Sequence, residues 1–74
     1  MLVLYSTDGC HLCEQAAQLL VQAGHAFETV DIIDDSALVD AYGVRIPVLK
    51  RPNGQELGWP FGLSELEEFI KDVD

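Results

Sequence analysis

The feature that most constrains this chain is a change of hydrophobic periodicity on either side of two cysteines. Residues 2–5 are apolar without interruption, as expected for a strand buried on both faces. After a loop at residues 6–9, apolar side chains recur at helical spacing from residue 12 to residue 23, and Gly24 stands where a helix-ending glycine belongs. Cys10 and Cys13 therefore lie where a first strand passes into a first helix.

The middle of the chain repeats the alternation of strand and helix. Residues 27–33 carry the apolar side chains of a second strand. The run Asp34-Asp35-Ser36 then offers N-cap side chains for a short helix, which Gly43 would end. These elements predict a parallel β–α–β unit followed by a second helix.

The last part of the chain predicts a hairpin and a helix. Residues 46–49 are predicted to form a third strand, which Asn53-Gly54 joins through a tight turn to a fourth strand at residues 55–57. Ser64-Glu65-Leu66-Glu67 has the pattern of a capping box and predicts the start of a last helix. The side chains of that helix expected to face inward are Leu66, Phe69, Ile70 and Val73.

This order, βαβαββα, predicts the fold class. We expect an α/β protein with a four-stranded mixed sheet flanked by three helices in three layers, built as a single domain over residues 1–74. No stretch approaches the ~20 apolar residues of a transmembrane helix. Residues 1–5 are too short and lack the basic flank of a signal peptide, so we expect a cytoplasmic protein.

The charge distribution narrows the range of partners. The formal net charge is −9, and no Lys or Arg occurs before Arg45. Nucleic acids and anionic membranes bind clustered cations, so neither is expected as a partner. Two interpretations remain open: a solubilising acidic surface, or a surface that prefers a neutral or basic protein partner.

The spacing of Cys10 and Cys13 predicts redox chemistry. At the start of a helix, the Cys10 sulfur would lie near unpaired backbone N–H groups and the positive end of the helix dipole, which favour the nucleophilic thiolate. Cys13, one turn further on the same face, could close a disulfide with it. The alternatives are two reduced, merely buried thiols or an inert bridge, although so short a loop would stabilise the fold little.

The histidines bear on redox tuning and on metal binding. A protonated His11 would stabilise a neighbouring thiolate and make the disulfide more oxidising, whereas Asp8 and Glu14 act in the opposite sense. His11 can equally be an exposed imidazole without a role. A structural zinc site needs four ligands, and beside the cysteines only His11 and His25 remain, so we expect no metal site within one chain. A cluster that bridges two chains stays open.

Residues 5–14 (YSTDGCHLCE) and residues 42–49 (YGVRIPVL) carry two motifs in a fixed order. They resemble the active-site segment and the cis-proline segment of glutaredoxin-like proteins in the thioredoxin-fold superfamily. The resemblance implies a thioredoxin-like fold and a thiol–disulfide oxidoreductase. It further implies that Cys10 is the exposed attacking thiol and that Cys13 is the partly buried resolving thiol.

The same resemblance implies where a substrate would bind. It predicts a cis peptide between Ile46 and Pro47 that faces the cysteines, with the backbone N–H and C=O of Ile46 offered to an extended substrate. The alternative is an ordinary trans proline opening an edge strand. Trp59 would form an apolar lip beside Cys10, or would instead cover the base of the last helix as Phe61 is expected to do.

The implied partners are a protein or small-molecule disulfide and a thiol reductant, with no prosthetic group and a monomeric protein. Glutathione is a candidate co-substrate. Its usual anchors are absent, because Asp8 replaces a basic residue, His11-Leu12 replaces Pro-Tyr, and residues 58–62 replace a Gly-Gly turn. Two other functions remain as alternatives: an iron–sulfur or metal-carrying module that uses Cys10, and a non-catalytic protein-binding domain.

Overall fold

A computed structural model describes residues 2–71 of the chain. In order, its elements are strand β1 (Leu2–Ser6), helix α1 (His11–Ala23), strand β2 (Phe27–Asp31), a 3₁₀ turn (Ile32–Asp34), helix α2 (Ser36–Tyr42), strands β3 (Val48–Lys50) and β4 (Glu56–Gly58), and helix α3 (Leu63–Lys71). The predicted βαβαββα order is confirmed.

The four strands form one mixed sheet in the order β2-β1-β3-β4. β1 pairs with β2 in parallel and with β3 antiparallel, and β3 pairs antiparallel with β4. A parallel half joined to an antiparallel hairpin is the sheet of a thioredoxin-like α/β fold, as predicted. Among the helices that the structure describes, none has the length and apolar character needed to cross a membrane.

The larger core lies between the sheet and the pair α1 and α3. Period-two alternation along β1 turns Leu2 and Leu4 toward these helices, and the 3.6-residue period of α1 turns Ala16 and Leu20 toward the sheet. The remaining buried members of this cluster are Leu49, Phe61 and Leu66. Burial of these apolar groups is the main favourable contribution to folding.

A smaller core lies on the opposite face, under α2. Its buried members are Ile32, Tyr42 and Val48, against which Tyr5 and other partly buried side chains pack. Val48 and Leu49 are neighbours in β3, so they point to opposite faces of the sheet. The helices therefore cover both faces, in the three layers predicted.

The predicted second strand is too long by two residues. Strand β2 ends at Asp31, and Ile32 begins a 3₁₀ turn. The Asp31 carboxylate caps this turn by accepting the Ile33 N–H at 3.0 Å, and this turn separates a buried Ile32 from an exposed Ile33. A local side-chain hydrogen bond thus replaces two residues of strand.

The last helix begins earlier than the predicted capping box. Leu63 is the first residue of α3, and the Leu66 N–H donates to the Gly62 carbonyl. The Glu65 carboxylate accepts the Gly62 N–H at 3.2 Å, which is the glutamate half of a capping box with glycine at the cap. Ser64 and Glu67 are therefore not a capping pair, and Val73, predicted to face inward, lies outside the described residues.

The other predicted turns agree with the structure. Gly24 ends α1 with φ of 72°, in the left-handed region that a glycine adopts without steric cost. The Asp35 carboxylate caps α2 by accepting the Ala37 N–H at 2.9 Å. Gly54 has φ of 95° in the β3–β4 connection, where Asn53 accepts the Gln55 N–H at 3.0 Å. The hairpin strands each lie one or two residues further along the chain than predicted.

Candidate redox site

The cysteine pair forms the N-terminal turn of α1. Cys10 is the N-cap residue, with extended backbone, and its sulfur accepts the backbone N–H of Cys13 at 3.2 Å. The two sulfur atoms lie at disulfide distance, with their Cα atoms 5.2 Å apart. Gly9, with φ of 75°, provides the turn that brings the chain from β1 to this cap.

The two cysteines differ in exposure. Cys10 is partly exposed, whereas only 4% of Cys13 is accessible to solvent. An external thiol or disulfide can therefore reach the Cys10 sulfur much more readily than the Cys13 sulfur. This asymmetry corresponds to the attacking and resolving roles that the resemblance implies.

A pocket of about 310 Å³ opens beside the cysteine pair on the β2 flank of α1. Leu4 and Thr29 line it from neighbouring positions of the parallel β1–β2 pair, so both side chains point to the α1 face. The other lining residues include Ser6 and the two carboxylate side chains beside the cysteines, those of Asp8 and Glu14.

The predicted substrate segment lies on the other flank of the cysteines. The Ile46–Pro47 peptide is cis, and Pro47 is fully buried just before β3. Because Val48 pairs with Tyr5 near the carboxyl end of β1, this segment and the cysteine turn lie at the same edge of the sheet. The Ile46 N–H donates to the Tyr42 carbonyl at 3.0 Å, so only its carbonyl is offered without breaking an existing hydrogen bond.

Trp59 is connected to the proline rather than to the pocket. Its backbone N–H donates to the Pro47 carbonyl at 3.2 Å. Its half-buried ring packs against the larger core and meets Phe61 edge-to-face, with ring centroids 5.0 Å apart. The Trp59–Pro60 peptide is also cis, which sequence reasoning did not predict. Trp59 thus packs against the cluster that includes Leu66 of α3, and its role as an apolar lip beside Cys10 stays a prediction.

A polar network supports the segment that precedes Pro47. The Tyr42 hydroxyl donates to the Glu56 carboxylate, and the Arg45 guanidinium forms an ion pair with the same carboxylate at 3.0 Å. The hydrogen bond to Glu56 raises the pKa of Tyr42 to about 12, and the same bond lowers the pKa of Glu56. The Tyr42 ring also stacks on Tyr5 at 4.4 Å.

Sequence reasoning missed this network. Tyr42 and Glu56 are 14 residues apart and belong to different elements, and no local pattern connects them. In the sequence, Tyr42 is the first residue of the 42–49 motif, without a predicted hydrogen-bond partner. The available signal is a cation, Arg45, just before the predicted hairpin and an acid, Glu56, in its second strand, and this pattern does not identify the acid that a given cation binds.

The structure also shows where His11 lies and which side chains could bind a metal ion. His11 is the exposed first residue of α1, beside the cysteines in sequence. Within residues 2–71, no group of three or more His, Cys, Asp or Glu side chains is arranged to hold a metal ion. The tuning role of His11 stays a prediction.

Comparison with known proteins identifies relatives over almost the whole chain. The family model "Glutaredoxin-like domain (DUF836)" matches residues 1–71. No curated protein matches the chain. The protein XcR50 from X. campestris is 48% identical in its X-ray structure, with a TM-score of 0.93 and complete coverage of both chains.

Two further solved structures agree with this assignment. The solution structure of XcR50 is 49% identical, with a TM-score of 0.89, and the match covers 99% of this chain and 95% of that one. Protein Ne2328 from Nitrosomonas europaea is 28% identical, with a TM-score of 0.70 over 92% of this chain and 87% of its own. With its cysteine pair on the first helical turn and a family match over residues 1–71, this chain belongs to the glutaredoxin-like domain family.

Proposed function

We propose that this protein is a thiol–disulfide oxidoreductase that works on protein disulfides through Cys10 and Cys13. The observation that carries the proposal is the asymmetry of the pair at the start of α1: Cys10 is partly exposed, whereas Cys13 is buried, and their sulfur atoms lie within disulfide distance. A helix N-terminus stabilises the Cys10 thiolate, and the Cys13 N–H already points at that sulfur. An inert bridge would need neither accessibility nor this placement.

The proposed reaction proceeds in two exchanges. The Cys10 thiolate attacks one sulfur of the substrate disulfide, the substrate S–S bond breaks, and the other substrate sulfur leaves as a thiolate that takes a proton from water. Cys13 then loses its proton and attacks the Cys10 sulfur, which releases the second substrate thiolate and forms the Cys10–Cys13 disulfide. Two electrons have passed from the protein to the substrate.

An external thiol reductant must return these two electrons. In the cytoplasm, the predicted compartment, thiol systems keep such pairs reduced. The reaction needs no prosthetic group. Glutathione is a weak candidate for this reductant. It carries net negative charge, and the carboxylates of Asp8 and Glu14 lie beside Cys10.

The proposal is tested by a redox titration in which the two thiols are detected by alkylation. We expect one reversible two-electron couple between roughly −100 and −300 mV, the span of known redox-active dithiols. Absence of any reversible couple in that span would contradict the proposal.

Two matched variants test the division of roles. Incubated with a peptide that contains a disulfide, Cys13→Ser should accumulate a mixed disulfide through Cys10, because the resolving thiol is missing. Cys10→Ser should accumulate far less, because Cys13 is only 4% exposed. Intact-mass spectrometry measures the amount of mixed disulfide that each variant forms. Equal amounts in the two variants would overturn the assigned roles.

A further inference from the structure

Both cysteines line the pocket on the β2 flank of α1, but its other side chains take part in no step of the exchange reaction described above. It lies beside the Cys10 sulfur, whereas the Ile46–Pro47 segment leads into β3, on the other side of β1. A disulfide-bearing protein that docks on Cys10 therefore brings the residues around its own cysteine next to this pocket. Whatever fills the pocket contributes to the choice of substrate.

The walls of the pocket carry negative charge and no positive charge. Asp8 and Glu14 supply two carboxylates. All the residues that line it fall between residues 4 and 29, a stretch without any Lys or Arg. The two carboxylates repel an anionic group, whereas a cation can form a charge-assisted hydrogen bond with either of them.

A hydroxyl group lies deeper in the pocket. Ser6 ends β1, is only 8% exposed, and lines the pocket. Its hydroxyl forms no hydrogen bond with another side chain or backbone group among residues 2–71. Among residues 2–71, Arg51 Nε is the fully buried side-chain polar atom that lacks a partner, so the Ser6 hydroxyl is not sealed from solvent and is available to a donor that enters the pocket.

The apolar part of the lining matches the stem of a basic side chain. Leu4 and Ala17 provide apolar surface next to the polar groups. Lysine and arginine combine an aliphatic stem with a charged head that carries several donors and no acceptor. Apolar walls, an acceptor hydroxyl and two carboxylates together fit such a side chain and do not fit an acidic or purely apolar one.

We propose that this pocket receives a lysine or arginine side chain that neighbours the reactive cysteine of the partner protein. The inference rests on the proposed function, since the side chain is delivered by a substrate that exchanges disulfides with Cys10. It assigns a substrate class, disulfides flanked by a basic residue, and gives Asp8 and Glu14 a role in substrate choice.

The test uses two disulfide-bridged peptides that differ at one position beside a cysteine, lysine in one and glutamine in the other. The measured quantity is the ratio of their second-order rate constants with the reduced wild-type protein. We expect a lysine preference of about tenfold, which decreases with added salt. The ratio cancels any general effect of charge on the reactivity of Cys10.

Two double variants with the same change of net charge test whether the lysine preference comes from the carboxylates of the pocket. Asp8→Asn/Glu14→Gln should bring the ratio close to one. Asp40→Asn/Glu68→Gln removes two exposed carboxylates from α2 and α3, outside the pocket, and should keep the wild-type ratio. Equal loss in both variants would assign the preference to overall charge and overturn the pocket proposal.

The remaining outcomes separate this inference from the proposed function. If the wild-type protein reduces both peptides at the same rate, the pocket proposal is overturned and the oxidoreductase stands. If it reduces neither peptide, although both are reduced by dithiothreitol, the proposed function fails and the pocket proposal fails with it.

Discussion

The face of the sheet under α1 and α3 is closed by apolar side chains, whereas the face under α2 combines apolar contacts with polar ones. Seven buried apolar residues form the first cluster, while the second has three, one of which is Tyr42. Around Tyr42 lie a stacked Tyr5 ring, the Glu56 carboxylate and the Arg45 guanidinium. The two faces therefore depend on different forces.

The two faces contribute differently: the apolar face mainly stabilises the fold, and the polar face holds the segment before Pro47 in position. The apolar face supplies most of the buried area that a domain of this size needs. The polar face adjoins the segment before Pro47, where the Tyr42 carbonyl accepts the N–H groups of both Arg45 and Ile46. Hydrogen bonds are directional, so a few of them can fix a loop that apolar packing alone would leave free to shift.

The largest effect should come from the apolar face. Leu20→Ala removes a side chain that is 0% exposed in the centre of the larger cluster, and we expect a loss of about 2–5 kcal/mol in the free energy of unfolding. Urea unfolding monitored by circular dichroism measures it. The matched control is Val21→Ala, at a neighbouring position that is 70% exposed, for which we expect a change within about 0.5 kcal/mol. Similar losses at both positions would contradict the assigned core.

An intermediate effect should come from the polar face. Tyr42→Phe keeps the ring and its stack on Tyr5 but removes the donor to Glu56, so we expect a loss of about 1–2 kcal/mol. The control is Tyr5→Phe, which keeps the same stack and loses a hydroxyl that forms no hydrogen bond to another of residues 2–71. The urea unfolding midpoints of the two variants and the wild type measure these losses. An equal effect of both substitutions would refute the role of the hydrogen bond.

The polar face should also give stability a pH dependence that the apolar face lacks. The pKa of Glu56 is lowered from 4.5 by the Tyr42 hydrogen bond, so this stabilisation is complete above pH 4.5 and is lost as the pH falls through the lowered value. The pKa of Tyr42 is raised from 10.0 to about 12, so the stabilisation is complete below pH 10 and is lost as the pH rises toward 12.

The measurement is the difference in unfolding free energy between wild type and Tyr42→Phe across this pH range. We expect a plateau between about pH 5 and pH 10 and a decrease on both sides. The same pH series for Leu20→Ala should give a nearly constant difference, because Leu20 packs in a cluster of apolar side chains. A flat profile for Tyr42→Phe would show that the hydrogen bond does not couple to ionisation.

The smallest effect should come from the exposed member of the network. The Arg45 side chain is 50% exposed and its ion pair with Glu56 is open to solvent screening, so Arg45→Gln should cost no more than about 1 kcal/mol. Salt at about 0.5 M should remove most of that difference. A loss as large as that of Tyr42→Phe would make the ion pair, rather than the hydroxyl, the main support of the Pro47 segment.

Local patterns predicted most of the fold. The period of α1, the glycine at Gly24 and the Asn53-Gly54 turn each depend on residues within a few positions, and each agrees with the structure. The errors lie where two local patterns compete. Ile32 and Ile33 continue an apolar strand, but the Asp31 carboxylate captures a backbone N–H and begins a turn. At α3, the Glu65 carboxylate accepts the Gly62 N–H, so the helix begins at Leu63 and the predicted Ser64–Glu67 box does not form.

The candidate site was predictable only in part. The cysteine turn follows from its own residues and the helix after it, so its position could be derived. The pocket beside it depends on Ser6 of β1, Thr29 of β2 and Glu14 of α1, which meet only when α1 lies over the paired strands β1 and β2. The contact between Tyr42 and Glu56 likewise needs the hairpin to be folded. Neither arrangement has a local signature.

The short span of the cysteine bridge has a consequence for turnover. It closes a loop between residues only three positions apart, within one helical turn, so opening it frees little chain. The oxidised and reduced proteins should therefore present nearly the same surface to a docked partner. In the proposed reaction, a partner then leaves because its disulfide link to Cys10 has been cut, and the cycle can repeat without refolding of the protein.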